Sequence, residues 1–135
     1  MTRTNTGVSK TDYSRIAGYY DRVRPQPADV WVSRNIEHGE IRENSWVLDV
    51  GCGTGRFPLN IMQSKKPLIC ALEPSVEMLK QAVTKDESKA IFWVRGDGQR
   101  LPFRDGFFDC VYMTLVIHHV ENKEAVLREI YRALK

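Results

Sequence analysis

The spacing of apolar residues changes from helical to strand-like after about the first forty positions. Near the N-terminus, apolar side chains recur three and four positions apart, at Tyr13, Ile16, Ala17 and Tyr20. This spacing predicts a short amphipathic helix. Pro27 is well placed as the first-turn proline of a second helix that reaches about His38, and Gly39 is expected to end that helix.

From position 46 onward, solid apolar runs alternate with amphipathic stretches. Strands are predicted at 46–50, 68–72, 91–94 and 108–115. Helices are predicted at 56–63 and 76–85, with Ser75 as the N-cap of the second. A last helix presents an apolar face of Leu127, Ile130, Tyr131 and Leu134. This alternation predicts an α/β fold, in which a parallel sheet is covered by helices on both faces.

Composition narrows the range of functions. The chain has 135 residues, enough for one domain, and its net charge is +3 without any basic block, which gives no electrostatic case for nucleic acid. No apolar run is long enough to cross a bilayer, and the N-terminal ten residues lack the apolar segment of a secretion signal. Three dispersed cysteines favour neither a disulfide framework nor a zinc site. The protein is therefore expected to be cytoplasmic and to lack a metal site.

A glycine-rich loop follows the first predicted strand. Gly51, Gly53 and Gly55 stand at every second position, so the backbone can turn sharply and approach a ligand closely. The next helix offers free N–H groups at its start. A dinucleotide-binding fingerprint requires glycine at position 56, where this chain has Arg56, so the spacing favours a nucleoside ligand over NAD. A plain tight turn is the alternative for such a loop.

Acidic residues end the successive strands. Glu73 follows the second strand and can accept hydrogen bonds from both hydroxyls of a ribose. Asp97 follows the third strand and can accept one from an adenine amino group. Asp49 ends the first strand, where it can contact an amino group or order the loop. Each has a structural alternative, such as a helix-start acid for Glu73 or a turn residue for Asp97.

Several segments resemble one family in the correct order. Segments 47–55 (VLDVGCGTG), 73–79 (EPSVEML) and 96–109 (GDGQRLPFRDGFFD) are similar to the motifs of class I S-adenosylmethionine-dependent methyltransferases. Segments 115–119 and 128–135 extend the similarity, which is greatest to the ubiquinone/menaquinone-biosynthesis subgroup. Tyr19-Tyr20-Asp21 resembles the N-terminal cap of that subgroup. The resemblance implies a Rossmann-like fold, with a helical cap at 1–40 and a cofactor-binding core at 41–135.

The resemblance also implies a role for each matching residue. The cofactor is S-adenosyl-L-methionine, and its methionine part contacts Gly51, Gly53 and Gly55. Its ribose is held by Glu73. Its adenine is held by Asp97 and Gly98. The remaining predicted contacts are Pro74, Met78 and Tyr20. Met78 packs on the adenine face or belongs to the core, and Tyr20 closes over the cofactor with Arg24 or is part of a structural helix.

The sequence stops where the family continues into further strands. Four strands in the order 3-2-1-4 are expected, with the usual last strands missing and the fourth strand left as an apolar edge. Such an edge is a pairing site. We therefore expect either that two copies of the chain form a homodimer through this strand, or that the chain is a fragment of a longer protein.

Methyl transfer from a sulfonium needs position and orientation more than it needs a catalytic triad. His118 and His119 follow the fourth strand, and either is a candidate base for an acceptor that must lose a proton; a structural role is the alternative. The expected acceptor is a small molecule that the sequence does not identify. Two other functions stay open, a non-catalytic S-adenosylmethionine-binding domain and a nucleotide-dependent oxidoreductase.

Overall fold

A computed structural model describes residues 13–24, 29–114 and 116–135. The strands are Trp46–Val50 (β1), Leu68–Glu73 (β2), Ile91–Arg95 (β3) and Cys110–Tyr112 (β4). The α-helices are Tyr20–Val23 (α1), Asp29–His38 (α2), Arg56–Lys65 (α3), Val76–Lys85 (α4) and Lys123–Ala133 (α5). The four strands form one parallel sheet in the order β3-β2-β1-β4. The predicted topology and strand order are confirmed.

Both faces of the sheet are buried, as solid apolar strands require. On β1, Val47 packs into one apolar cluster and Leu48 into another, because successive side chains point to opposite faces. The first cluster includes Val32 of α2 and Ile61 of α3. The second includes Leu101, Phe108 and Ala133. The three cysteines are buried and form no disulfide.

Local capping explains where two helices begin and end. The Ser75 hydroxyl accepts a hydrogen bond from the Met78 N–H at 3.3 Å, so the predicted N-cap of α4 is confirmed. Helix α2 ends at His38 as expected. The left-handed residue there is Glu40, with φ of 49°, rather than Gly39. The Ile41 N–H bonds to the Ile36 carbonyl at 2.9 Å, which is the long bond of a Schellman motif.

The predicted fourth strand was too long. β4 covers Cys110–Tyr112, whereas Phe108 forms only an isolated bridge with Leu134, and Leu115 lies outside the described residues. Phe108 is fully buried, but by contacts other than strand pairing. Its N–H donates to the Ala133 carbonyl at 2.9 Å. β4 pairs with β1 alone among the described strands, so it is the expected edge.

The predicted apolar face of the last helix was also wrong in part. Leu127 and Tyr131 are 58% and 83% exposed, whereas Val126 and Ala133 are fully buried. The core-facing side runs through Val126, the half-buried Ile130 and Ala133. Ile130 was therefore predicted correctly, whereas Leu127 and Tyr131 lie in solvent.

The N-terminal segment differs from the single helix that its spacing predicted. Residues Tyr13–Ile16 form a 3-10 turn, and α1 is a separate turn of helix. Pro27 lies outside the described residues, so its role at the start of α2 stays a prediction. Across the three described ranges, none of the helices combines the length and the apolar character that a bilayer span requires.

Candidate functional site

A cavity of about 550 Å³ lies beyond the carboxyl ends of the strands. Its lining includes eleven of the twelve predicted site residues, namely Tyr20, Asp49, Gly51, Gly53, Glu73, Pro74, Met78, Asp97, Gly98, His118 and His119. Gly55 is outside this lining. Because the ends of parallel strands meet at one edge of the sheet, residues from β1, β2 and β3 share a single space.

The glycines of the loop after β1 serve different purposes. Gly51 and Gly55 have φ of +79° and +80°, a conformation that favours glycine. A Cβ on Gly55 would lie 2.6 Å from Trp93, so this glycine permits packing between α3 and the core rather than approach of a ligand. A Cβ on Gly53 would meet nothing within 4 Å, because Gly53 borders the cavity.

Glu73 links the loop to the start of α4. Its Oε2 accepts the Gly53 N–H at 2.9 Å, and its Oε1 accepts the Ser75 N–H at 3.1 Å. A carboxylate has about four lone-pair positions, so both oxygens can still accept bonds from a ligand. Glu73 therefore shapes the cavity as well as lining it.

Asp97 forms a turn at the end of β3. Its Oδ1 accepts the Gln99 N–H at 2.9 Å, the Asx-turn arrangement that its sequence context favours. The side chain is exposed and borders the cavity. Met78 is only 2% exposed and also borders the cavity, so it belongs to the buried face of α4 while presenting a surface to the site.

Asp49 is a buried carboxyl in the cavity wall. It is 2% exposed, and burial raises its pKa from 3.8 to about 8. The side chain of Tyr112 opposes this shift, and the negative charge of Glu73 adds to it. The Tyr112 hydroxyl is itself buried and lacks a hydrogen bond of standard geometry. At neutral pH Asp49 is therefore largely protonated until a cation approaches it.

Polar contacts hold the N-terminal segment over this cavity. Asp21 accepts a hydrogen bond from Thr54 Oγ1 at 2.5 Å and forms an ion pair with Lys85. Ser14 and Ser75 share a hydrogen bond of 2.9 Å between their hydroxyls. Neither Thr54 nor Lys85 was predicted at the site, because nothing local to either residue indicates a partner more than thirty positions away.

The paired histidines lie at the same cavity, in a 3-10 turn after β4. Their rings are 3.9 Å apart. Burial lowers the pKa of His119, and the neighbouring His118 and Arg24 lower it further. His119 is consequently favoured in its neutral form, which can accept a proton. The Arg24 guanidinium lies 5.9 Å from the centre of the Tyr20 ring.

A model of the methyltransferase domain matches residues 48–135, which include the carboxyl end of β1 and the whole of β2, β3 and β4. The chain belongs to the methyltransferase domain family. The predicted resemblance to class I methyltransferases is thereby confirmed, and an oxidoreductase receives no support from it.

Curated methyltransferases are similar over most of the chain. The ubiquinone/menaquinone biosynthesis C-methyltransferase of Pectobacterium carotovorum is 32% identical, over 78% of this chain and 45% of the relative. A malonyl-[acyl-carrier protein] O-methyltransferase of Hamiltonella defensa is 31% identical, over 91% of this chain and 46% of the relative. The resemblance to the ubiquinone/menaquinone subgroup is confirmed. This chain spans about half the length of these relatives.

Solved methyltransferase structures share the fold. A putative methyltransferase of an antibiotic biosynthesis pathway in Anabaena variabilis is 27% identical, with a TM-score of 0.74 over 82% of this chain and 43% of the other. A putative S-adenosylmethionine-dependent methyltransferase of Methanococcus maripaludis reaches a TM-score of 0.80 at 21% identity, over 100% of this chain and 63% of the other. The second shows the fold alone.

Proposed function

We propose that this chain binds S-adenosyl-L-methionine in the cavity and transfers its methyl group to a small-molecule acceptor. The observation that carries the proposal is the convergence of Gly53, Glu73 and Asp97, from the ends of three successive strands, on one cavity. Its volume of about 550 Å³ lies within the range of small-molecule and cofactor sites.

The residues of the cavity fit the parts of this cofactor. Glu73 keeps accepting positions for the ribose hydroxyls. Asp97 and Gly98 lie where an adenine edge would be recognised, with Pro74 and Met78 beside them. Asp49 is a buried carboxyl suited to the cationic amino group of the methionine part, whose charge would favour the ionised form of Asp49.

The bound cofactor supplies an activated methyl group, so the protein's task is chiefly orientation. Ser14, Tyr20 and Arg24 of the N-terminal segment line the cavity, where they can help to position a bound ligand. His119, in its neutral form, accepts a proton from an acceptor that must lose one. His118 is its neighbour and the second candidate for that step.

The proposal does not specify which small molecule accepts the methyl group. The names of the relatives include a C-methyltransferase and an O-methyltransferase at nearly equal identity, so similarity does not select an acceptor atom. The cytoplasmic location and the homodimer through β4 also stay predictions. So does the division of the chain into a helical cap at 1–40 and a cofactor-binding core at 41–135.

Calorimetry with S-adenosylmethionine, S-adenosylhomocysteine and NAD tests the proposal. We expect both adenosyl ligands to bind and NAD to leave no heat signal, because Arg56 occupies the position where a dinucleotide site needs glycine. Binding of NAD alone would overturn the proposal. Tight binding of S-adenosylhomocysteine without turnover on any acceptor would favour the non-catalytic binding domain.

Substituting Glu73 by alanine is expected to weaken S-adenosylmethionine binding by about 1–3 kcal/mol. The variant loses the acceptor for the ribose hydroxyls and also the bonds that hold Gly53 and Ser75. Calorimetric titration measures the loss, and Glu87→Ala, at an exposed turn, is the control. An affinity equal to that of the wild type would remove Glu73 from the site.

A further inference from the structure

The two ends of the cavity differ in charge. The strand order β3-β2-β1-β4 places the end of β4 three strands away from the end of β3, which is about 14 Å along the edge of the sheet. Asp97 and Glu73 border the cavity at the end of β3 and β2, whereas His118 and His119 border it after β4. Because the proposed function assigns the two acids to the adenosyl group, the β4 end of the cavity is left for the acceptor.

Arg24 supplies a positive charge at the β4 end of the cavity. It follows α1 and borders the cavity. Besides burial and the neighbouring His118, the charge of Arg24 lowers the pKa of His119, so the guanidinium and this imidazole lie near each other. The guanidinium also lies 5.9 Å from the centre of the Tyr20 ring, close enough for a cation–π contact that restricts its position.

No carboxylate of the protein balances the charge of Arg24 at this end of the cavity. Within the described ranges, Arg24 forms no ion pair. The described lining residues of the N-terminal segment and of the chain after β4 include no aspartate or glutamate, and Val116 and Val120 among them are apolar. A cleft that has charge of one sign and apolar walls concentrates ligands of the opposite sign. The β4 end therefore suits an anionic ligand.

We infer that the methyl acceptor is a small carboxylic acid and that Arg24 binds its carboxylate at the β4 end of the cavity. This inference rests on the proposed function, which supplies the cofactor and leaves the acceptor unspecified. A planar guanidinium can donate two parallel hydrogen bonds to a carboxylate, which a lysine ammonium cannot reproduce. Arg24 thereby orients the acceptor beside His119, the candidate base.

Small acids paired with their neutral amides test the inference, because the two members of a pair differ in charge and hardly in shape. Benzoate with benzamide, salicylate with salicylamide, and phenylacetate with phenylacetamide are titrated by NMR into protein saturated with S-adenosylhomocysteine. In at least one pair, the wild type should bind the acid at least about tenfold more tightly than the amide. Arg24→Met should weaken binding of that acid by about tenfold and binding of its amide by less than about threefold.

Arg22→Met is the matched control, because Arg22 lies in the same helix, is exposed and is not part of the cavity lining. It should leave the preference for the acid unchanged. Arg24→Lys serves if the methionine variant of Arg24 does not fold, as judged by circular dichroism. It should lose part of the preference for the acid, and a preference equal to that of the wild type would contradict the inference.

Calorimetry with S-adenosylhomocysteine alone separates this inference from the proposed function. If the wild type does not bind S-adenosylhomocysteine, the proposed function fails. If it does bind, the inference is overturned when no acid is preferred to its amide, or when Arg24→Met weakens acid and amide equally. A loss of S-adenosylhomocysteine affinity in Arg24→Met as large as its loss of affinity for the acid would assign Arg24 to the cofactor instead, and would also overturn the inference.

Discussion

Replacing Asp49 by asparagine is expected to stabilise the protein, by an amount that grows between about pH 4 and about pH 8. The physical reason is that burial raises the pKa of Asp49 in the folded state to about 8. The unfolded chain releases this proton near pH 4, so raising the pH over this interval favours unfolding by at most about 1.4 kcal/mol per pH unit. Above pH 8 the effect is complete and stays constant.

The change of stability with pH has the opposite sign for carboxylates whose charged form the fold stabilises. The pKa of Asp109 is lowered by Lys135 and by the Trp46 N–H. That of Glu129 is lowered by Arg132. These two groups make the folded state more stable as the pH rises through their titration range. The contribution of Asp49 therefore has to be measured as a difference between the variant and the wild type.

Urea unfolding of both proteins at several pH values makes this measurement. Glu121→Gln removes an exposed surface carboxylate and is the control for the loss of a carboxylate charge. A flat difference for Asp49→Asn would show that Asp49 is ionised in the folded protein at neutral pH. The stabilised variant should bind S-adenosylmethionine less well, because it cannot become an anion opposite the amino group.

Truncating Phe108 to alanine should lower the free energy of unfolding by about 3–5 kcal/mol. Phe108 is fully buried and packs edge-on against Phe103 and Phe107, at centroid distances of 5.0 and 4.9 Å. The cavity left by a phenyl ring cannot close easily, because the backbone of Phe108 is also bonded to that of Ala133 and Lys135.

Phe92→Ala is the matched control for this measurement, since the Phe92 side chain is 52% exposed on β3. We expect it to cost less than about 1.5 kcal/mol in the same urea titration, because little apolar surface is lost from the interior. Similar losses for the two variants would mean that Phe108 is not a central core residue. The free energy of unfolding of a small domain is about 5–15 kcal/mol in total, so Phe108→Ala should unfold at a markedly lower urea concentration.

The central strands were predictable because their apolar runs are short and bounded by glycine or proline. The same signal failed at the fourth strand, where Phe108 extends the apolar run for reasons of packing against α5 rather than of pairing with β1. The face of α5 was predicted wrongly because Val126 and Leu127 are adjacent and both apolar. Only the tertiary packing determines which of the two is buried.

The candidate site was predictable where topology alone places residues together. Strand ends of a parallel sheet meet at one edge, so Glu73 and Asp97 were expected beside the glycine loop. The burial of Asp49 was not predictable, because it depends on which side chains close the cavity. Gly55 shows the converse, since its regular spacing suggested a ligand contact and its Cβ position is taken by Trp93.

The way Asp21 is attached has a consequence for turnover. The N-terminal segment contacts the core through hydrogen bonds and an ion pair to Thr54, Ser75 and Lys85. Ala17 is buried as well, whereas α1 buries none of its residues. Contacts of this kind are inexpensive to break and to re-form, in contrast to an apolar interface. Under the proposed function, opening of this segment would let a spent nucleoside leave and a fresh one enter without disturbing the sheet beneath it.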